Sequence, residues 1–410
     1  MLTMRRKIQA VVRTQSARHS AQIRKTIFNA MKLTRRSLLG LLTSGLGHTL
    51  ARAMLPPLPQ MDFYTDGVGT GGGPAVAKPI TPKPVLAFAR ALQFGVVVRS
   101  EPSLDAPKVG ALVRDNVLPI FSEVVSDTGN AHNKIWYEVQ GGYVFSANVQ
   151  PVPWQLNAPV TTIGEKGLWA ELTIPFYDPR IAPSEAAPKN KYRYYGGSVY
   201  KVIKAVQGQR ATPSDKPDFK LNQDEWWYQI EDEAFGGSTN WFIPAQHLRL
   251  LPASEFSPLS PDVDPAEKKL LIKLGEQRFY AYERGREVFS ARTATGVRYS
   301  DERDFSTTPG SFYVFRKTPS QHMYGGAVGD DGSFDLPGVS WVSYFTTSGI
   351  AFHGTYWHND YGVVRSHGCI NVSNTIAKWV FRWSMPPVNY DDRYTHIKQR
   401  DLGTSVVVEY

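Results

Sequence analysis

From Phe88 onward the chain consists of short apolar runs separated by turn residues, and this pattern most restricts its fold. Runs such as Val96–Arg99 and Ile135–Val139 are rich in β-branched and aromatic residues and too short for a helix, so they predict strands. One C-terminal stretch has a helical period, with apolar residues at i, i+3, i+4 and i+7 after a capping residue, Ser373 or Asn374. The sequence therefore predicts a mainly β protein with one helix.

The β-rich pattern divides into three blocks. Residues 86–153 end with a Trp-Tyr strand and a Gly-Tyr-Val strand, and they resemble a bacterial SH3-like domain. Residues 160–252 repeat this pattern loosely and predict a second, diverged SH3-like barrel. Residues 252–265 are rich in Pro, Ser and Asp and predict a linker. The third block, residues 266–410, is expected to be a β-sandwich or barrel that carries the single helix.

The excess positive charge lies in the N-terminal leader. The chain has 46 Lys and Arg against 37 Asp and Glu, but residues 1–53 hold 11 of the basic residues and no acidic residue. The remainder has no basic run that would follow a phosphate backbone, which argues against nucleic-acid binding. One cysteine in 410 residues excludes an internal disulfide and a Cys-rich zinc or iron–sulfur site.

The leader also predicts export. Residues 31–53 contain the pair Arg35 and Arg36, a 13-residue apolar stretch and small residues before a signal-peptidase site. A membrane-spanning helix needs roughly 20 residues, so we expect cleavage and no stable membrane anchor afterwards. The Thr-Arg-Arg-Ser-Leu-Leu segment resembles a twin-arginine signal. Residues 54–85, rich in Pro and Gly, predict a flexible linker to domains that work in the cell envelope.

Reactive side chains are concentrated near the C terminus. His353 ends a strand-like run, and the only cysteine, Cys369, lies 16 residues later. A nucleophilic cysteine needs a base or a cation beside it to lower the thiol pKa, and the fold can bring His353 alongside Cys369. Asp360 or a backbone carbonyl could orient the base, and amides around Gly368 could form an oxyanion hole. These parts together predict acyl-transfer chemistry.

Two other interpretations remain open from the residues alone. A zinc site would use the dense group of ligand types in this region, although no His-x-x-x-His occurs on a helix; the group comprises His353, His358, Asp360, His367 and Cys369. A non-catalytic cell-wall-binding protein, in which the SH3-like pair acts, predicts that Cys369 can be replaced without loss. A papain-like peptidase places its cysteine before its histidine, which is the opposite order to the one found here.

The segment His353-Gly354, twelve further residues and His367-Gly368-Cys369-Ile370-Asn371 resembles the signature of the L,D-transpeptidases, the YkuD-type catalytic domain. The resemblance covers about residues 266–410 and implies that Cys369 is the nucleophile and His353 the general base. It places His367 beside the thiol and the Gly354 carbonyl on His353, at a position where the family often has serine. The amides of His367, Gly368 and Cys369 would donate to the oxyanion.

The same resemblance implies a substrate cleft and a reaction. The residues expected to support or line the cleft are Met323, Tyr324, Trp341, Arg365, Ser366 and Asn371. Cys369 would attack the diamino acid carbonyl at position three of a peptidoglycan stem peptide and release D-Ala. The amine of a second stem would then resolve the thioester to a 3→3 cross-link, or water would resolve it as in an L,D-carboxypeptidase. The resemblance implies no metal or cofactor, and it implies inhibition by carbapenem β-lactams.

Overall fold

A computed structural model describes residues 83–130, 132–209, 225–232, 240–326 and 333–410. The predicted leader, 1–53, and nearly all of the predicted linker, 54–85, lie outside these residues. Within the described ranges the chain is mainly β, and α1 (Asn374–Trp383) is the one α-helix. No helix within these ranges has both the length and the apolar character needed to span a bilayer.

The first block consists of two small sheets around one core. Its strands are β1 (Ala87–Ala91), β2 (Val96–Arg99), β3 (Lys108–Leu112), β4 (Val117–Ile120), β5 (Ser122–Asn130), β6 (Asn133–Val139), β7 (Gly142–Phe145) and β8 (Val149–Val152). They form a sheet in the order β3-β2-β7-β6-β5 and another in the order β4-β1-β8, with Leu118, Tyr137 and Val144 buried in the core. The predicted strands are present, and the SH3-like identity of the block stays a prediction.

The second block has one large sheet and a two-stranded ribbon. Its strands are β9 (Leu168–Leu172), β10 (Phe176–Tyr177), β11 (Tyr194–Tyr195), β12 (Val199–Gly208), β13 (Glu225–Glu231), β14 (Trp241–Pro244) and β15 (Leu248–Leu250). The sheet runs β14-β13-β12-β9-β15, and β10 pairs with β11. The predicted Trp-Trp-Tyr strand is β13, whereas the SH3-like identity of this block also stays a prediction.

The third block consists of two five-stranded sheets and α1. Its strands are β16 (Lys268–Lys273), β17 (Arg278–Glu283), β18 (Arg286–Arg292), β19 (Gly310–Tyr313), β20 (Arg316–Gly325), β21 (Phe334–Tyr344), β22 (Ala351–Gly354), β23 (Ile370–Val372), β24 (Thr395–His396) and β25 (Ser405–Glu409). The sheets run β18-β17-β16-β25-β19 and β23-β22-β21-β20-β24. The Ser373 side chain accepts a hydrogen bond from the Ile376 amide, so Ser373 is the N-cap of the predicted helix.

The second and third blocks share a hydrophobic core. Trp169 and Val199 of the second block lie in the same buried cluster as Phe279, Phe352 and Val380 of the third block. A shared core holds the two blocks in one arrangement, because separating them would expose this apolar surface to water.

The segment predicted to be a linker, residues 252–265, is part of this core. Phe256 is 4% exposed, and its ring centroid lies 5.4 Å from that of Trp341 and 5.0 Å from that of Tyr390. The Leu259 amide donates to the Arg382 carbonyl at 2.9 Å. The linker prediction is based on the prolines and serines of this segment, several of which are exposed. It does not foresee that the one aromatic side chain, Phe256, is buried in the core.

The first block contacts the loop that follows β22. The buried Arg90 donates to the Tyr356 carbonyl, and Gln150 Nε2 donates to the Thr355 carbonyl at 3.1 Å. Asn359 Nδ2 in turn donates to the Ser146 carbonyl at 3.1 Å and the Val149 carbonyl at 3.2 Å. The first block is therefore attached to the loop directly beyond His353.

We expect Phe256→Ala to lower the free energy of unfolding by about 3–5 kcal/mol, the usual cost of removing a buried phenyl ring. Chemical denaturation followed by tryptophan fluorescence measures this change. Phe94→Ala is the matched control, because Phe94 is 75% exposed and its removal should change stability by less than about 0.5 kcal/mol. Equal, small effects of both substitutions would contradict the placement of residues 252–265 in the core.

Candidate active site

Two adjacent parallel strands bring His353 and Cys369 to one cavity. Strand β22 pairs with β23 so that His353 lies opposite Asn371. Cys369 lies directly before β23, two residues from Asn371. Both His353 and Cys369 line a cavity of about 550 Å³, which we call the active-site cavity.

One hydrogen bond determines which nitrogen of His353 can act as a base. His353 is 3% exposed, and its Nδ1 lies 2.9 Å from the Gly354 carbonyl oxygen. A carbonyl can only accept, so Nδ1 carries the proton and Nε2 keeps its lone pair. Burial lowers the pKa of His353 to about 4, although the hydrogen bond to Gly354 opposes this shift. His353 is therefore a neutral imidazole at pH 7, able to accept a proton.

The packing around Gly354 explains why a residue without a side chain stands there. A Cβ atom at Gly354 would lie 2.1 Å from Asn374 Oδ1 and 2.7 Å from Ser340 Oγ. Asn374 is the first residue of α1, and it also donates to the Gly197 carbonyl at 3.0 Å. A side chain at position 354 would therefore collide with Asn374 of α1 and Ser340 of β21, so this packing requires glycine.

The thiol of Cys369 is protonated in the resting structure. Its Sγ donates to the Gly349 carbonyl at 3.7 Å. Burial raises the pKa of Cys369 to about 11, although a hydrogen bond from the Ala351 amide opposes the shift. The expectation that a neighbour lowers the thiol pKa is therefore not met at rest, because the imidazole of His353 is neutral.

A hydroxyl network fixes the turn before Cys369. Ser366 Oγ donates to the Cys369 carbonyl at 2.6 Å and accepts from the Gly368 amide at 3.1 Å. Thr307 Oγ1 donates to the Gly368 carbonyl at 2.7 Å. The Gly368 amide thus donates to Ser366 in this structure, and its role toward an oxyanion stays a prediction. Gly368 has φ of 109°, and this backbone conformation favours glycine.

A second polar group lies beside His353 and Cys369. The side-chain nitrogen of Asn371 lies 2.9 Å from His358 Nε2, and the Asp360 amide donates to His358 Nδ1 at 3.4 Å. Both Arg365 Nε and Nη2 bond the Asp360 carboxylate, at 3.0 and 2.9 Å. Asp360 is therefore not the group that orients His353, since it pairs with Arg365 instead. Within the part of the chain that the structure describes, no three His, Cys, Asp or Glu residues are placed to hold a metal ion.

Most of the residues expected in the cleft line the active-site cavity, namely Met323, Tyr324, Arg365, Ser366, His367 and Asn371. Trp341 does not, and its assignment to the cleft is wrong. Its side chain is 2% exposed and packs in the core, with its ring centroid 5.2 Å from that of Phe381. Trp341 lies in the buried part of β21, and its side chain packs among the apolar residues of the core.

The structure adds residues that sequence reasoning missed. Trp357 lines the cavity with its ring centroid 5.7 Å from that of His353, and Thr307 holds the carbonyl of Gly368. His367 is exposed, and its ring packs 4.3 Å from that of Phe305. Trp357 lies in the loop after β22, and Thr307 lies in the loop before β19. No motif in the sequence points to either residue.

We expect the alkylation rate of Cys369 by iodoacetamide to rise about tenfold per pH unit between pH 6 and 9, because the thiolate is the reacting form and its pKa is about 11. The rate is measured by intact mass on the free protein. Cys369→Ala supplies the background, since the chain then has no thiol. A plateau below pH 7 would indicate a resting thiolate–imidazolium pair and contradict the prediction.

Comparison with known proteins identifies the domain that carries this site. The family model described as L,D-transpeptidase catalytic domain, YkuD, matches residues 267–408. No curated protein matches the chain.

Three solved structures show the extent of structural similarity. The L,D-transpeptidase from Mycobacterium smegmatis is 22% identical with a TM-score of 0.29, and the match covers 35% of this chain and 59% of that one. L,D-transpeptidase 3 from Mycobacterium tuberculosis, in complex with a faropenem-derived adduct, is 21% identical with a TM-score of 0.27, covering 35% and 60%. A mutant of the Enterococcus faecium L,D-transpeptidase is 19% identical with a TM-score of 0.26, covering 40% and 53%.

This chain thus spans about three-fifths or less of the length of each of these proteins. The family match contains every residue of the turn around Cys369 and both catalytic strands, β22 and β23. Residues 267–408 of this protein are an L,D-transpeptidase catalytic domain of the YkuD type.

Proposed function

We propose that this protein is an exported peptidoglycan L,D-transpeptidase that forms 3→3 cross-links through a thioester on Cys369. The observation that carries the proposal is the neutral His353, with Nδ1–H bonded to the Gly354 carbonyl, in the same cavity as the only thiol of the chain. A neutral base and a protonated nucleophile are the pair that acyl transfer requires at the start of the reaction.

The acylation half of the reaction uses this pair directly. As Cys369 Sγ bonds to the carbonyl carbon of the stem peptide, its proton moves to His353 Nε2. The carbonyl oxygen becomes an oxyanion, for which we assign the Cys369 amide as a donor, since the Gly368 amide is engaged by Ser366. The carbon–nitrogen bond then breaks, and the leaving D-Ala amine takes the proton from His353.

The second half of the reaction regenerates the thiol. The amine of a neighbouring stem attacks the thioester carbonyl and passes a proton to His353. The carbon–sulfur bond breaks, and the thiolate recovers that proton. Water in place of the amine would give a carboxypeptidase by the same steps. The cavity of about 550 Å³ lies within the usual range for ligand sites, about 300–1,000 Å³.

The leader supports a location outside the cytoplasm. Residues 31–53 combine a twin-arginine-like pair, an apolar stretch and a signal-peptidase site. We propose that the domains act in the cell envelope, where peptidoglycan is found. Fractionation of cells that produce the tagged protein tests this, and retention of the uncleaved precursor in the cytoplasm would contradict it.

The function is tested with a purified disaccharide tetrapeptide as both donor and acceptor, analysed by mass spectrometry. We expect a cross-linked dimer that has lost one D-Ala. A tripeptide product without dimer would show that the enzyme is a carboxypeptidase. Unchanged substrate from a folded protein would contradict both activities and favour the non-catalytic wall-binding interpretation.

A further inference from the structure

A basic cleft forms where the three blocks meet, and it adjoins the active-site cavity. We call it the junction cleft. It has a volume of about 210 Å³ and is lined by Arg90 and Arg114 of the first block, Lys191 and Arg193 of the second, and Leu336 and Trp357 of the third. Leu336 and Trp357 also line the active-site cavity, so the two spaces are direct neighbours.

The charges of the junction cleft favour an anion. Four cationic side chains line it, against the single carboxylate of Asp335. Asp335 is already bonded by the Tyr192 hydroxyl at 2.9 Å and by His322 at 2.6 Å. An additional carboxylate entering the cleft would therefore meet more positive than negative charge.

The two deeper arginines are neutralised, whereas Arg114 is not. Arg90 and Arg193 both bond Asp115, at 2.6 and 2.9 Å, and Arg193 also bonds Asp178 at 2.7 Å. Arg114 Nη2 contacts the Tyr195 hydroxyl at 3.4 Å, and the described residues include no carboxylate within ion-pair distance of it. Arg114 is thus the cation of the cleft that remains available to an anionic ligand.

Arg90 lies beneath the cleft and contributes charge to it. Its side chain is almost fully buried, and its guanidinium lies 4.1 Å above the Tyr195 ring. Its terminal nitrogens donate to Asp115, to Gln150 and to the Tyr356 carbonyl. The donor that a ligand can reach is therefore Arg114, whose side chain is exposed.

We propose that the junction cleft binds a carboxylate of the peptidoglycan stem whose carbonyl is presented to Cys369. This inference rests on the proposed function and deepens it by assigning a substrate-binding role to the two N-terminal blocks. A stem peptide in the active-site cavity that continues past Leu336 and Trp357 enters the cleft, where the exposed Arg114 is the donor for its carboxylate. The family model, which begins at residue 267, contains none of these arginines.

The proposal is tested by binding of two probes, measured by calorimetry on the full chain carrying Cys369→Ala so that no turnover occurs. One probe is a disaccharide tetrapeptide with a free stem carboxylate, and the other is the same compound with that carboxylate amidated. We expect Arg114→Gln to raise the Kd of the acidic probe about tenfold, as for loss of one charge-assisted hydrogen bond. The amidated probe should bind the parent and Arg114→Gln equally.

Arg286→Gln is the matched control, because Arg286 is an exposed arginine of β18 that lines neither cavity. It should leave the Kd of both probes unchanged. Equal binding of the acidic probe to Arg114→Gln and its parent would overturn the proposal, and so would an equal loss for both probes. Acylation by imipenem of the protein with Cys369 intact separates the two proposals. Absence of acylation counts against the proposed function, while the preference for the acidic probe still reports on the cleft.

Discussion

Replacing Cys369 with alanine is expected to abolish acyl transfer, lowering the rate of D-Ala release from a stem tetrapeptide by at least about 10⁴-fold. Cys369 is the only thiol in the chain, so no other residue can form the thioester. His353 accepts a proton and does not replace the missing nucleophile. The same substitution should remove the imipenem adduct, measured as the increase in intact mass. D-Ala release and imipenem acylation both require Cys369 Sγ, so the two should be lost together.

Two controls make the Cys369 result interpretable. The circular dichroism spectrum and the unfolding temperature of Cys369→Ala should match those of the wild-type protein, because the replaced side chain is small and partly exposed. Cys369→Ser keeps a hydroxyl at the same position, and it should also lose the imipenem adduct, since an alcohol is a far weaker nucleophile than a thiol. Normal D-Ala release from a folded Cys369→Ala protein would exclude the thioester mechanism and return attention to the wall-binding interpretation.

Replacing His353 with glutamine is expected to lower kcat/KM by about 10²–10⁴-fold, the usual contribution of a general base. The Gly354 carbonyl accepts the hydrogen bond from Nδ1–H of His353, so the imidazole is held in the tautomer whose Nε2 can accept a proton. A glutamine side chain has no basic nitrogen that could replace Nε2. The measurement is the rate of D-Ala release, with imipenem acylation of Cys369 as a second readout.

The pH dependence of the wild-type enzyme provides a further test of this role. The pKa of His353 is about 4, so the base is neutral above that value and becomes protonated below it. Activity should therefore hold from about pH 8 down to about pH 5 and fall as the pH passes through 4. A fall centred well above pH 4 would contradict the assignment of His353 as the base.

Direct comparison of histidine variants decides between His353 and His367 as the base. His367→Gln should cost less than His353→Gln, because His367 is exposed and packs against Phe305 and Phe334. His396→Gln is the control with no expected effect, since His396 is exposed and does not line the active-site cavity. A larger loss in His367→Gln than in His353→Gln would reverse the assignment of the base.

Local features of the amino-acid sequence were enough to predict the class of fold, the position of most strands, the start of α1 and the segments that hold His353 and Cys369. These features depend on residues close together in the chain. Alternating apolar residues select strands, a serine selects a helix start, and the order of His, Gly and Cys carries the family resemblance. Properties that depend on neighbouring residues in the chain can be predicted from the sequence. For this reason these predictions agree with the structure.

The roles of residues whose partners are distant in the chain follow from three-dimensional contacts and could not be predicted from the sequence. Trp341 and Phe256 are both aromatic residues that the sequence placed at a cleft or in a linker, and each is buried by side chains of other segments. The amide of Gly368 is taken by Ser366, and the pKa values of His353 and Cys369 follow from burial. The N-terminal blocks likewise form the junction cleft only where all three blocks meet. Burial and charge depend on which surfaces exclude water, and that is set by contacts between segments far apart in the chain.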